Sequence, residues 1–148
     1  MPPAADLATL AAELPARVAA AMGAFDPRAA LDAVWELVVR GNRTVDEVAP
    51  WALHRAEAAG DAGARAALDR VLYALLETVR LVAVHLEPFL PGPAARILEQ
   101  LGVPEDVERP YGERLRWGRL PPGTRTATPA LLFPKSETIY PHAREEAK

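Results

Sequence analysis

Apolar residues recur at three- and four-residue intervals through the first hundred residues, which is the pattern of amphipathic α-helices. The first stripe predicts a helix over residues 6–25. Asp6 would cap its N-terminus, Pro15 would kink it or split it into two pieces, and Gly23 would break it near its end. The apolar face of this helix consists of Leu7, Leu10, Leu14, Val18 and Met22.

A second helix is predicted to begin at Asp26-Pro27 and to run to about Val48. Asp at the N-cap followed by Pro at the first helical position is a favoured start. The helix should end before Pro50, because the residue that precedes a proline avoids the α region. Residues 51–59 should form a short turn or helical piece. The predicted apolar face of the second helix is Leu31, Val34, Trp35, Val38, Asn42 and Val45.

The widest apolar face predicts a third helix over residues 62–86, with Asp61 as its cap and Pro88 beyond its end. A fourth helix is predicted over residues 91–101, closed by Gly102. The short connections between these helices favour antiparallel neighbours, so the predicted fold class is all-α, an antiparallel helix bundle. The residues of the third helix that we expect to be buried include Leu72, Leu75 and Val79.

The pattern changes from Val103 onward, where seven prolines interrupt every candidate helix. Residues 103–134 therefore predict a proline-rich irregular C-terminal tail packed back on the bundle. The chain divides into one domain over residues 5–135 and a polar, frayed tail over residues 136–148. The side chains expected to dock the irregular segment are Leu115, Trp117, Leu120, Leu131, Leu132 and Phe133.

The composition limits the classes of protein to which the chain can belong. A chain of 148 residues, half of them hydrophobic, fits one domain with a sizeable core. The absence of cysteine excludes disulfides, thiolate nucleophiles and Cys-ligated zinc. No apolar run is long enough to span a membrane and the N-terminus lacks a basic signal-peptide region, so we expect a cytoplasmic protein without membrane partners.

The charge of the chain gives only a weak indication of whether it binds nucleic acid. The formal net charge of -3 argues against a large nucleic-acid footprint, although five arginines lie between residues 109 and 125, with Glu113 as the only acid there. Fifteen of the 17 basic residues are arginine, and a high-GC genome would produce the same excess. The arginine count by itself is therefore not a sign of phosphate binding.

Catalytic and metal-binding patterns are absent from the sequence. His54, His85 and His142 are far apart and lack metal-ligand spacing, and no glycine-rich phosphate loop occurs. Asp46 and Glu47 are adjacent and point to different faces of a helix. We therefore expect no catalytic site, no metal and no cofactor in this chain.

Residues 40–51, unlike the rest of the chain, have a pattern that could form a binding site. Asn42 and Asp46 are four residues apart on the second helix, where they can bond each other or a nearby backbone group, and Pro50 places the indole of Trp51 where that helix ends. An aromatic ring beside arginines is typical of a platform on which an unpaired base stacks. The alternative is that Trp51 fills the core.

Three segments resemble one known family, in the same order as in that family. They are "NRTVDEVAPW" (42–51), "LEPFLPGPAARILEQLG" (86–102) and "LRWGRLPPGTRTATPALLFPK" (115–135). The family is the C-terminal helical anticodon-binding domain of methionyl-tRNA synthetase, and the resemblance covers residues 7–137.

The resemblance implies a tRNA partner, contacted at the anticodon loop. It assigns Trp51 to a base contact and Pro50 to the shape of the turn, with Asn42, Arg43 and Asp46 as supports or phosphate contacts. Thr44 stands where the family usually has Tyr. The sequence shows neither the family's catalytic signatures nor the upstream helix whose Asn and Arg help to read the anticodon.

Three functions are compatible with this resemblance. The first is a stand-alone module that contacts tRNA alone or with a separate catalytic chain, and that does not itself activate methionine. The second is a degenerate, synthetase-derived module that binds another protein. The third is an accessory subunit of a tRNA-dependent biosynthetic enzyme.

Overall fold

A computed structural model describes residues 3–133 of the chain. These residues form helices and loops without any strand, which confirms the predicted all-α class. The domain end predicted at residue 135 and the polar tail over residues 136–148 lie outside the described part. The elements are α1 (Pro3–Gly23), α2 (Pro27–Val48), α3 (Pro50–Ala58), α4 (Ala62–Leu86), α5 (Pro91–Leu101), a 3₁₀ helix (Pro104–Glu108) and α6 (Tyr111–Arg114).

Helices α1, α2 and α4 pack around one core. Ion pairs Arg17–Glu36 at 2.7 Å and Asp6–Arg40 at 3.1 Å join α1 to α2 and show that the two helices are antiparallel. A second cluster joins α4 to α5 and to the segment that follows. The larger core side chains shared by α1, α2 and α4 are Leu7, Leu14, Val34, Leu37 and Leu81.

Helix α1 differs from its prediction in two ways. It begins at Pro3, so Asp6 lies inside the helix and does not cap it; its carboxylate bonds Arg40. The helix also continues through Pro15 as one element, so the predicted split does not occur. Leu7 and Leu14 before the proline are buried and Val18 after it packs on the same core, and this burial outweighs the one lost hydrogen bond.

The ends of α2 agree with prediction, but its buried face is rotated. Asp26 caps the helix, accepting the N–H of Ala29 at 2.9 Å. Leu31, Trp35 and Asn42, which were expected to face the core, are exposed. Small residues allow α1 and α4 to approach α2 closely, which leaves the larger side chains at the margin. The buried face is Ala30, Ala33, Val34, Leu37, Gly41 and Thr44.

Helix α4 has the predicted ends and cap, since Asp61 accepts the N–H groups of Gly63 and Ala64. The prediction of the buried face of α4 was less accurate. Leu72 and Val79 are exposed and Leu75 is only partly buried. The positions in contact with the core and the tail instead include three polar residues that hydrophobic periodicity does not recognise, Glu77, Arg80 and His85.

The tail packs back on the bundle, as predicted, but polar groups hold much of it. The Arg80 guanidinium donates to the carbonyls of Arg114 and Arg116, both at 2.8 Å. The Glu77 carboxylate accepts the backbone N–H groups of Arg119 and Leu120 at 3.0 and 2.9 Å. Helix α4 therefore fixes the path of the tail through its backbone.

Apolar docking of the tail is partial. Leu120 is buried, while Leu115, Trp117 and Leu132 are partly buried. The prediction was wrong for Leu131, which is 82% exposed, and for Phe133, which is also exposed. The end of the described tail lies on α5 through hydrogen bonds, from Arg96 to the Leu132 carbonyl and between Gln100 and Ala130, so its apolar side chains need no burial.

Candidate nucleic-acid interface

Helices α2 and α3 meet at a single residue, Ala49. Its N–H donates to the carbonyl of Val45 at 2.9 Å and closes α2, and its own carbonyl accepts the N–H of Ala52 at 2.7 Å and opens α3. Pro50 is the first residue of α3, a position where its missing N–H costs nothing. The chain therefore changes direction sharply, with no loop between the two helices.

Trp51 lies at the start of α3 and is 54% exposed. No residue of α3 is buried. The indole is therefore on the surface, and the structure does not support the alternative that it fills the core. His54 and Arg55 follow at three and four residues, so they lie beside Trp51 on the same side of α3 and are exposed as well.

The last turns of α2 are anchored beneath this surface. The Arg40 guanidinium donates to the carboxylate of Glu47, seven residues further along α2, and to the carboxylate of Asp6 in α1, each at 3.1 Å. Thr44 is fully buried and its hydroxyl donates to the Arg40 carbonyl at 3.0 Å. Position 44 therefore belongs to the packing of α2 and offers no exposed surface in this chain.

The other residues assigned from the resemblance lie along the same end of α2. Asn42, Arg43 and Asp46 are exposed, and Pro50 is partly buried. Within residues 3–133, neither the Asn42 nor the Asp46 side chain makes a hydrogen bond or an ion pair, so the suggested bond between them is not formed. Their polar groups are available to a ligand.

Helix α3 is tied to α4 by charged side chains. Arg65 donates to Glu57 at 2.9 Å and to Asp69 at 3.0 Å. These hydrogen bonds to the two carboxylates raise the pKa of Arg65. All three groups lie near the surface, so they orient the C-terminal end of α3 with little contribution to stability.

An apolar groove lies between α2, α4 and α5 and reaches Asn42. It consists of a cavity of about 520 Å³ that continues into one of about 300 Å³, with Val38 and Val82 common to both. Trp35 stands at its edge and is 64% exposed. The other apolar side chains of the larger cavity include Leu31, Leu86, Leu90, Ile97 and Phe133.

The arginines of residues 109–125 do not form one basic surface. Arg114 is buried, 2.7 Å from Glu87 and 3.7 Å from Asp106. Arg109 lies 3.8 Å from the same Asp106. Arg109 and Arg114 are therefore paired within the protein, whereas Arg116, Arg119 and Arg125 make no ion pair among the described residues.

Two structural features are absent from residues 3–133. In that part of the chain, no group of three or more His, Asp or Glu side chains is arranged to hold a metal ion. None of the helices there has both the length and the apolar character needed to cross a membrane.

Comparison with known proteins agrees with the motifs in the sequence. A family model described as the anticodon-binding domain of methionyl-tRNA ligase matches residues 3–146. The methionine–tRNA ligase of Caldanaerobacter subterraneus subsp. tengcongensis is 37% identical over 143 residues, which is 97% of this chain and 21% of the relative. The enzyme of Enterococcus faecalis is 33% identical over 89% of this chain and 19% of its own length.

The chain therefore belongs to the family of methionyl-tRNA ligase anticodon-binding domains. It spans about a fifth of the length of the curated relatives that it matches. The resemblance inferred from residues 42–51, 86–102 and 115–135 is confirmed at the level of the family.

Sequence analysis missed the residue that joins the two helices of the interface. Ala49 has a left-handed backbone, with φ 47° and ψ 69°. Glycine or asparagine is the usual signal for that conformation, and position 49 carries neither. The only local signal was Pro50, which restricts the residue before it but does not specify φ.

Proposed function

We propose that this domain contacts the anticodon loop of a tRNA at the α2–α3 end, with Trp51 stacking on an unpaired base. The observation that carries the proposal is the exposure of Trp51, 54% open at the start of a helix with no buried residue. A large aromatic side chain held at the surface loses apolar burial unless a ligand covers it. Membership of a family of anticodon-binding domains supports an RNA base as that ligand.

The neighbouring residues fit supporting roles. Arg43 near the end of α2 and Arg55 one turn beyond Trp51 are exposed, and neither forms an ion pair within the described residues. Their guanidinium groups suit phosphate contacts on either side of a stacked base. Asn42 and Asp46 carry exposed hydrogen-bonding groups suited to base edges or to the orientation of Arg43.

The test compares two exposed tryptophans. Trp51→Ala should weaken tRNA binding by about 1–3 kcal/mol, the usual value of one base–aromatic stack. Trp35→Ala is the matched control, because Trp35 is similarly exposed but lies about 20 Å from the end of α2. Affinities measured by fluorescence anisotropy of labelled tRNA at low salt, where phosphate contacts are strongest, give the comparison.

Stability separates a binding role from a structural one. Because the Trp51 side chain is half exposed, its replacement should change the free energy of unfolding by less than the roughly 3–5 kcal/mol of a core tryptophan. A stable Trp51→Ala protein that binds tRNA as tightly as the unchanged chain would contradict the proposal. Equal losses from Trp51→Ala and Trp35→Ala would place the contact elsewhere.

We also propose that the domain supplies tRNA binding to a methionine–tRNA ligase whose chemistry resides in another polypeptide or region. The relatives bear that activity in their names and are about five times as long as the matched segment. The isolated chain should give no methionine-dependent ATP–pyrophosphate exchange, and its addition to a catalytic chain from the same source should increase aminoacylation of tRNA.

A second candidate function is protein interaction, which the apolar groove between α2, α4 and α5 favours. The groove is open along Leu31 to Val45 of α2, about 21 Å, which is the length of four turns of a partner helix. On this hypothesis Trp35→Ala reduces association with a synthetase or other partner chain and Trp51→Ala does not. The two tryptophan variants therefore distinguish the two candidate functions.

A further inference from the structure

Ala49 has a backbone conformation that its side chain disfavours. Its φ of 47° and ψ of 69° lie in the left-handed region, where the Cβ of an L-residue approaches the carbonyl oxygen. Pro50 adds a second restriction, since the ring of a proline clashes with the residue before it in many conformations. Such strain persists only where the surrounding structure requires it, and it is concentrated at functional sites.

The hydrogen bonds of both helices require this conformation. The N–H of Ala49 donates to Val45 within the last turn of α2, and the Ala49 carbonyl accepts from Ala52 and Leu53 in the first turn of α3. One residue therefore ends one helix and begins the next. If φ at position 49 changes sign, α3 leaves α2 in another direction.

Helix α3 packs along α4, but none of its residues is fully buried. Leu53, Ala56 and Glu57 are partly buried, while Trp51 and Ala52 at its start are exposed. The ion pair of Arg65 with Glu57 joins α4 to the far end of α3, where Arg65 is exposed and Glu57 is partly buried. The start of α3, where Trp51 lies, is therefore exposed and is joined to α2 directly through the backbone of Ala49.

We infer that Ala49 is a positioning residue, whose left-handed backbone fixes the direction of α3 and thereby aims Trp51 at the tRNA. The inference rests on the proposed function for its tRNA part. Its structural part, the control of the direction of α3, can be measured without tRNA.

The first experiment measures tRNA affinity in variants whose residue at position 49 differs in its preference for a left-handed backbone conformation. Ala49→Gly and Ala49→Asn accept φ near 50°, whereas Ala49→Val opposes it, although Asn and Val are similar in size. Ala49→Val should weaken tRNA binding by about 5- to 150-fold, the range for a lost base stack, and Ala49→Asn should bind like the unchanged chain. Circular dichroism confirms that each variant is folded at the assay temperature. If Ala49→Val is not folded, Ala49→Thr, which also has a β-branched side chain, replaces it.

The second experiment measures the direction of α3 directly. The chain contains no cysteine, so spin labels attach only at introduced sites, here His54→Cys on α3 and Val39→Cys on α2, both exposed positions. The distance between the labels, measured by double electron–electron resonance, should be the same with Ala, Asn or Gly at position 49. With Val or Thr there, the distance should shift or its distribution should broaden.

Each outcome decides one part of the inference. An unchanged distance in the Val and Thr variants overturns the control of α3 by Ala49. A shifted distance without loss of affinity, in a protein where Trp51→Ala does lose affinity, overturns the positioning of Trp51. If Trp51→Ala has no effect on affinity, the proposed function fails and the tRNA part of the inference fails with it, while a shifted distance still upholds the control of α3.

Discussion

The Glu77 and Arg80 side chains are buried without loss of hydrogen bonding. They lie one turn apart on α4, with Arg80 Nη2 2.7 Å from Glu77 Oε1, and each also bonds the backbone of the tail. Burial lowers the pKa of Arg80, but Glu77 and Asp106 raise it, and the net shift is upward. The Arg80 guanidinium therefore remains charged, and the positions of Arg80 and Glu77 determine where residues 114–120 run.

Removal of one partner from this pair should be costly. Glu77→Gln leaves Arg80 with an incompletely compensated buried charge, so we expect the free energy of unfolding to fall by about 3–5 kcal/mol in urea titrations. Glu36→Gln is the control, because the Glu36–Arg17 pair is exposed and should contribute less than about 1 kcal/mol. A similar small effect at both positions would show that the buried pair does not hold the tail.

His85 is a buried titratable group whose surroundings lower its pKa. Its Nδ1 lies 2.8 Å from the Leu81 carbonyl, so Nδ1 carries the proton and donates. Burial lowers the pKa of His85, and the nearby positive charge of Arg80 lowers it further, against the opposing effect of the Leu81 hydrogen bond. The folded protein therefore holds His85 neutral at pH values where the unfolded chain is protonated.

This shift predicts acid sensitivity of the fold. The unfolded chain takes up a proton near the ordinary pKa of 6.5, and the folded chain resists it, so the free energy of unfolding should fall as the pH drops below 6.5. His85→Gln should remove this component of the slope, whatever its effect on stability at neutral pH. Urea unfolding followed between about pH 6.5 and 5 in both proteins measures the slope. Parallel slopes in the unchanged chain and the His85 variant would contradict the assignment.

At the scale of the helices, local signals in the sequence identified the ends of α2, α4 and α5 correctly, but not the start of α1. Asp26-Pro27, Asp61 and Gly102 act through hydrogen bonds or backbone preferences within a few residues, so neighbouring sequence is enough to recognise them. The motif around Trp51 was also recognisable from the residues themselves.

The buried faces were harder to predict, because they depend on which helix packs against which. Gly41 is buried beside Thr78 of α4 and Thr44 is buried as well, while the larger Trp35 is exposed. Hydrophobicity alone predicts the opposite order of burial. Glu77 and Arg80 are buried only because the tail returns to them from more than 30 residues away. The strained backbone of Ala49 has no sequence signal of its own.

Gly102 links α5 to the tail and provides a test at this scale. It ends α5 with φ 79°, and a Cβ there would collide with the carbonyl of Arg125. Gly102→Ala should therefore cost more than the roughly 1–2 kcal/mol of the left-handed conformation alone and should increase amide hydrogen exchange at Ala127, whose N–H donates to Gln100. Gly123→Ala is the control, with φ 80° and no atom near the added Cβ. Equal effects of the two variants would show that the close approach of the tail is unimportant.

Over the described part of the molecule, the two candidate surfaces share part of α2. The α2–α3 end carries Trp51 with exposed arginines, while the apolar groove runs from the opposite end, where α2 begins and α4 ends, as far as Asn42 and Val45. Many other arginines are paired with carboxylates, and the net charge is -3. Long-range attraction of this domain for RNA is therefore weak, and binding must depend on a few local basic groups.

The salt dependence of tRNA binding should identify those groups. Arg43→Ala and Arg55→Ala should each reduce the slope of log affinity against log salt by about 1, the value for one lost phosphate contact, and should weaken binding to different tRNAs by similar factors. Arg28→Ala is the matched control, since Arg28 is an exposed arginine near Asp32 at the other end of α2. Because Trp51→Ala removes stacking and no charge, it should lower affinity with the slope unchanged. A slope that responds equally to Arg28 and to Arg43 would mean that tRNA binds without preference for the α2–α3 end.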